Sequence, residues 1–231
     1  MGKPTVNEKR KARRAVHVGR PPRERAGEVD SRILDTARRV FLDRGLSGAS
    51  IDEIARLAGA GKPTIYARFP SKEALYTAVV MRNVAATVDR FEACIPSGES
   101  IDERLTSVGA NVLDWALTGD TVDLMRAGIS EARRFPDLAS KVHRMAKDRA
   151  EEALTRLFSE VAQSDALDAL PAFGPDRLAT TTQFFMNLVI MPLILRALFG
   201  AKLTTLRAEV GPLVARSVTF FLAACRHSGV D

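Results

Sequence analysis

An all-α fold is what this sequence predicts: a small N-terminal unit built around a helix-turn-helix, followed by a larger helical unit. Three observations carry the prediction. Apolar residues recur at helical spacing along nearly all of the chain after residue 30, and no run shows the two-residue period of a strand. Residues 50–75, SIDEIARLAGAGKPTIYARFPSKEAL, hold the stop and start signals of two short helices and the opening of a third. A hydrophobic content of 46% over 231 residues is enough for a core in one large or two modest domains, and no internal repeat is evident.

Residues 1–27 form a basic arm. Nine Lys and Arg stand against Glu8 and Glu24, a net of +7, while the whole chain carries +6, so the basic character lives in the arm. With Pro, Gly and no periodicity, this arm is expected to be disordered when free. Within it, Val18-Gly19-Arg20-Pro21-Pro22-Arg23 resembles the centre of an AT-hook, although Val18 stands where the first arginine would be. Arg20 and Arg23 are therefore expected in a DNA minor groove.

Residues 31–44 read as an amphipathic helix, with Ile33, Leu34, Ala37, Val40 and Phe41 inward and Gly45 at its end. Ser50 and Glu53 spell a capping box. Ile51, Ile54, Ala55 and Ala58 make one buried stripe, and Gly59 ends it where a left-handed residue is cheapest for glycine. Pro63 suits a first helical position, which puts Lys62 at about the N-cap. Ile65 and Phe69 then turn inward, and Thr64, Tyr66 and Arg68 outward. Pro70 stops this helix. Ser71 caps the next, which runs from 71 to about 94, with Glu73 favoured by its dipole. A helix as short as the second of the pair is not stable alone, so its neighbours must hold it. Its outer face offers hydroxyl, phenol and cationic groups, which suit phosphates and base edges in the major groove.

Residues 96–100 break the long helix. Helices follow at 101–117, 120–134 and 137 to about 162, then a loose segment at 163–175, then helices at 176–199 and 204–226. Residues 178–195 contain no charged side chain. That length suits a membrane span, but Thr180, Thr181, Thr182, Gln183, Asn187 and Pro192 argue against one. A helix apolar all round in a soluble protein is buried on both sides. This helix and the last are expected to pair across a homodimer, with Leu188, Leu195, Leu213, Phe220 and Phe221 at the interface.

Catalytic signatures are missing from the sequence. His17, His143 and His227 are scattered, and no HExxH, CxxC or GxSxG spacing occurs. Gly59-Ala60-Gly61-Lys62-Pro63-Thr64 imitates part of a P-loop. It fails because Arg56 replaces the first glycine and Pro63 separates the lysine from the hydroxyl. No enzyme activity, metal site or cofactor is expected. Cys94 and Cys225 give no disulfide framework, and a reducing cytoplasm is the default reading.

Residues 28–88 resemble the N-terminal domain of the TetR/AcrR family of bacterial regulators. The resemblance rests on Phe41, Gly45, Ile54, Ala55, Ala58, Gly59, Lys62, Thr64, Tyr66, Phe69, Ser71, Lys72 and Leu75. Gly61 departs from a common serine, and Arg68 from a frequent histidine. The segment Glu131-Ala132-Arg133-Arg134-Phe135-Pro136-Asp137-Leu138 resembles one found in C-terminal domains of a subgroup of that family. The resemblance implies a DNA-binding domain at 28–88 and an effector-binding and dimerisation domain at 89–231. It also implies a cytoplasmic, bacterial homodimer that binds a near-palindromic operator on double-stranded DNA and is released by a small effector, with no membrane partner. Expected DNA contacts are Ser50, Gly61, Lys62, Pro63, Thr64, Tyr66, Arg68 and Lys72. Trp115, Met125, Phe135, His143, Phe158, Phe184 and Met186 are the expected lining of a pocket for a hydrophobic or amphipathic effector. Repression is the expected sense. Activation stays open, as does an architectural DNA-coating role without effector.

Overall fold

The computed structural model describes residues 23–93, 96–163 and 170–227. Among these residues every regular element is helical. In order they are α1 (Arg23–Gly48), α2 (Ile51–Ala58), α3 (Lys62–Tyr66), α4 (Lys72–Glu92), α5 (Ile101–Ala116), α6 (Gly119–Ala132) and α7 (Pro136–Ala162). A 3-10 turn (Pro171–Phe173) follows, then α8 (Leu178–Phe185), a π turn (Met186–Ile190), α9 (Met191–Leu198) and α10 (Leu203–His227). Arg20, Cys94 and the rest of the arm before residue 23 lie outside the described residues, as does the side chain of Arg23.

Two expectations change in detail. The first helix begins at Arg23 rather than near 31, and it breaks at Gly45, whose φ of 66° suits glycine. The helix expected at 176–199 carries a π turn in its middle. Pro192 is the physical reason: it has no N–H to give to Leu188, and its ring crowds that carbonyl, so the Met191 N–H reaches back to Met186 instead.

Two apolar clusters form, and α4 threads both. Ile33, Ala37, Phe41, Ile54, Ile65, Leu75, Tyr76 and Val79 share the first with Leu124 of α6, and Phe135 and Leu138 pack on its edge. Val88, near the other end of α4, belongs to the second, which α5, α7, α8, α9 and α10 build together with Val122 of α6 and residues of the 3-10 and π turns. The heart of the second is aromatic. Phe158 stacks on Phe173 at 5.7 Å and meets Phe185 edge-on at 4.9 Å. Phe221 closes the group, 5.4 Å from Phe185.

Gly109 is where α5 comes closest to its neighbours. A Cβ there would sit 2.8 Å from Val214 Cγ1, 3.2 Å from Val189 Cγ1 and 3.3 Å from Phe185 Cζ. Gly109→Val is therefore expected to wedge α5 from α10 and destabilise the chain by about 2 kcal/mol. A midpoint lowered by several degrees in a thermal melt is the expected reading. An unchanged midpoint would show that this contact yields without cost.

Candidate nucleic-acid interface

The α2–turn–α3 unit is built by local chemistry. Ser50 Oγ accepts the Glu53 N–H at 3.2 Å. The other half of the expected capping box is replaced, because the Glu53 carboxylate lies 2.8 Å from Arg44 Nη2. Gly59 takes the left-handed conformation at φ 58°, and Ala60 N–H donates to the Ala55 carbonyl at 3.0 Å. The N-cap of α3 is Gly61, not Lys62. Its carbonyl accepts from Thr64 and Ile65 N–H at 2.9 and 3.1 Å, and Lys62 is already helical. Gly61 and Pro63 have no polar side chain to offer at this end, and no side-chain cap bond forms there. Ser71 Oγ accepts the Ala74 N–H at 3.1 Å and so caps α4. At Glu73 its own backbone N–H and the Ser71 hydroxyl hold the carboxyl below its ordinary range.

Ile65 is fully buried and Phe69 packs on the first core, so α3 has one orientation. Ser50, Gly61, Lys62, Pro63 and Tyr66 are left exposed, and Thr64 is half-buried. Two cations expected to face DNA are engaged within the chain. Arg68 pairs with Asp30 and donates to the Thr64 carbonyl at 3.3 Å. Lys72 Nζ donates to the Ala49 and Ser47 carbonyls at 3.0 and 3.3 Å, tying the start of α4 to the turn before α2. Lys62 forms a more exposed pair with Asp52.

Sequence reasoning missed what grips this unit from behind. Glu131 of α6 accepts from Ser47 Oγ at 2.8 Å and from Ser47 N–H at 3.2 Å. Gly45 makes room for it, since a Cβ there would lie 2.5 Å from Glu131 Oε1. Burial pushes the Glu131 carboxyl up. The Ser47 hydroxyl and N–H, the Leu46 N–H and Arg134 together outweigh that and bring it below its ordinary value. Arg38 of α1 meets Asp120 of α6 at 2.7 Å, a second strut between the same helices. The Glu131–Leu138 resemblance marked this segment without giving Glu131 a role.

The expected effector residues do not converge on one cavity. Phe158 is fully buried in the aromatic core, with Trp115 and Met186 at its edge. Phe135 packs on the N-terminal core instead. Met125, Phe184 and His143 are exposed. The described residues do form an open groove of about 440 Å³, lined by Glu151, Glu152, Thr155, Arg156, Thr180 and Gln183 among others. Most residues along it are polar or charged, and none belongs to the expected lining. Of the residues expected at a dimer interface, Leu195 and Phe220 are 51% and 68% exposed, and Leu188 and Leu213 are half-buried. Phe221, at 3%, lies in the chain's own core, because it faces Phe158 and Phe185 rather than outward. Residues Leu178–Leu198 and Leu203–Arg226 are long and apolar enough to cross a membrane by length and composition alone. Their inner faces are nevertheless spent on the second core.

Residues 33–79 match the family model described as bacterial regulatory proteins, tetR family. Residues 103–226, more than half of the chain, match that of the AefR-like transcriptional repressor C-terminal domain. FasR of Mycolicibacterium smegmatis (strain ATCC 700084 / mc(2)155), named an HTH-type transcriptional activator, is 46% identical over 99 residues, 42% of this chain and 43% of that protein. The chain thus spans less than half the length of this curated relative. Among solved structures, a regulator from Mesorhizobium loti MAFF303099 assigned to the TetR family superposes with a TM-score of 0.70 at 21% identity. It covers 87% of this chain and 98% of that one. The flavonoid-responsive regulator FrrA gives a TM-score of 0.64 at 26% identity, covering 88% of this chain and all of that one.

Proposed function

The chain belongs to the TetR family of bacterial regulatory proteins, and from this premise we propose that it is a cytoplasmic homodimeric repressor released from its operator by a small apolar or amphipathic effector. The reading rests on one observation above all. The α3 helix is pinned inward by Ile65 while Lys62, Pro63 and Tyr66 stand exposed in front of it. A rigid helix with a free polar face is what reading a major groove needs. One such helix covers a half-site only. Two copies about 34 Å apart read a near-palindrome. Dimerisation is supported by the exposed apolar residues Phe184, Met191, Leu195, Phe199 and Phe220 on α8, α9 and α10 and the turn after α9. DNA recognition is assigned to residues 28–88, and effector binding and dimerisation to 89–231. The interior of the second core is apolar and aromatic, which suits an effector of the same character; FrrA is described as flavonoid-responsive.

Repression is the sense carried by the description of the C-terminal family model. Activation is the second reading, favoured by the name of FasR. A reporter fused to the target promoter separates them: deletion of the regulator raises its output under repression and lowers it under activation. The reading as a whole is tested by anisotropy on DNA flanking its own gene, with excess competitor and a salt series. Tight binding to one near-palindrome that survives competitor is the expected result. Binding that competitor removes at every site tested would overturn sequence-specific regulation in favour of sequence-blind coating of DNA.

A further inference from the structure

Tyr76 is 4% exposed, on α4, and its hydroxyl has no hydrogen-bond partner among the described residues. Its ring is fixed edge-on against Phe41 of α1 at 5.3 Å, so the hydroxyl cannot swing far. It lies against α6 at Gly128, where a Cβ would come within 3.3 Å of it. Gly128 and Glu131 are three residues apart, on neighbouring positions of the same helical face. The Glu131 carboxylate, meanwhile, accepts from the Ser47 hydroxyl and N–H, 84 residues away in sequence, at the turn that leads into α2. A buried hydroxyl left without a partner is costly. The Glu131 carboxylate, one turn along α6 from Gly128, lies near enough to act on the phenol: burial first and then this charge raise the Tyr76 pKa.

We propose that Glu131 is a positioning residue for the DNA-reading unit and that the Tyr76 hydroxyl is its competing donor. In the state seen here Glu131 holds Ser47, and α6 grips the α1–α2 turn. In the alternative state Glu131 turns along its own helix face to Tyr76 and lets Ser47 go. The two states exchange one hydrogen-bonded set for another within a single junction of α1, α4 and α6. A small shift of α6 is then enough to choose between them, because Gly45 and Gly128 leave no Cβ in the way of either arrangement. That this matters for DNA rests on the regulator reading above; the switch itself does not.

The test is a double-mutant cycle read by amide exchange in the full-length protein, without DNA. Exchange is followed in the segment 45–49 for Tyr76→Phe, Glu131→Ala and the double variant, with circular dichroism to establish folding. Should Glu131→Ala fail to fold, Glu131→Leu, which likewise has no acceptor, takes its place. Glu131→Ala is expected to speed exchange at Ser47 about tenfold, the scale of one lost charge-assisted hydrogen bond. Tyr76→Phe is expected to slow exchange about threefold, because the carboxylate no longer has a second donor. In the absence of Glu131, Tyr76→Phe should change nothing. An equal Tyr76→Phe effect with and without Glu131 would overturn the proposal, as would a Tyr76→Phe variant that exchanges faster than the parent. Both results can be obtained even if the chain binds no operator, so failure here and failure of the regulator reading are separate outcomes.

Discussion

Tyr66→Ala is expected to weaken specific DNA binding by tenfold to a hundredfold or more while melting temperature and oligomeric state hold. Tyr66 is 48% exposed, and α3 is held by Ile65 and Phe69 rather than by the phenol. Its removal therefore costs the fold little. A good base or phosphate contact is worth about 1–3 kcal/mol, about tenfold per 1.4 kcal/mol, and in a dimer each substitution acts twice. Lys62→Ala should lose as much and should also flatten the salt dependence by about one ion per half-site. Its pair with Asp52 is largely exposed, so breaking it removes little stability. Arg68→Ala is the informative contrast. Arg68 binds Asp30 and the Thr64 carbonyl, so its loss should lower the melting temperature and weaken binding through a loosened domain. If Tyr66→Ala and Lys62→Ala both keep operator affinity, the reading face lies elsewhere.

Leu195→Glu combined with Phe220→Glu should turn a dimer into a folded monomer. The two residues are 51% and 68% exposed in the single chain, alongside Phe184, Met191 and Phe199. Carboxylates placed in a closed apolar interface lack partners, and each then costs several kcal/mol. That is enough to move dissociation past micromolar concentration. Neither side chain contributes to the chain's own core, so circular dichroism and melting of the monomer should change little. Sedimentation velocity reads the result directly, and affinity for a two-half-site operator should fall with it. A parent protein that already sediments as a monomer at micromolar concentration would remove this surface from the dimer reading. Phe221→Glu, one residue along, serves as the control for direction. Phe221 packs against Phe158, Phe173 and Phe185, so that change should unfold the second core instead of splitting a dimer.

Local sequence sets most of the helices, their order and the outward face of α3. Those features follow from interactions a few residues long. Ser50 caps Glu53, Gly59 supplies a left-handed turn, Pro63 starts a helix, and Ile54 and Ala58 share a stripe. Each can be read from its neighbours; within this unit the boundary moved by one residue, from Lys62 to Gly61, whereas the larger changes, the start of α1 at Arg23 and the π turn before Pro192, lie outside it. Which side chains stay free to act depends instead on contacts between elements far apart in the chain. Arg68 and Lys72 have the charge and spacing of phosphate ligands, yet their partners Asp30, Ser47 and Ala49 lie on other elements. Phe158 and Phe221 have the composition of a pocket wall and of an interface, yet they fill the core. Glu131 reads as one more surface carboxylate until α6 is laid against the end of α1. Helical period states that a residue faces inward; it does not state what waits there. That is fixed only when helices distant in the chain pack, because contact across a core depends on where whole elements sit rather than on spacing within one.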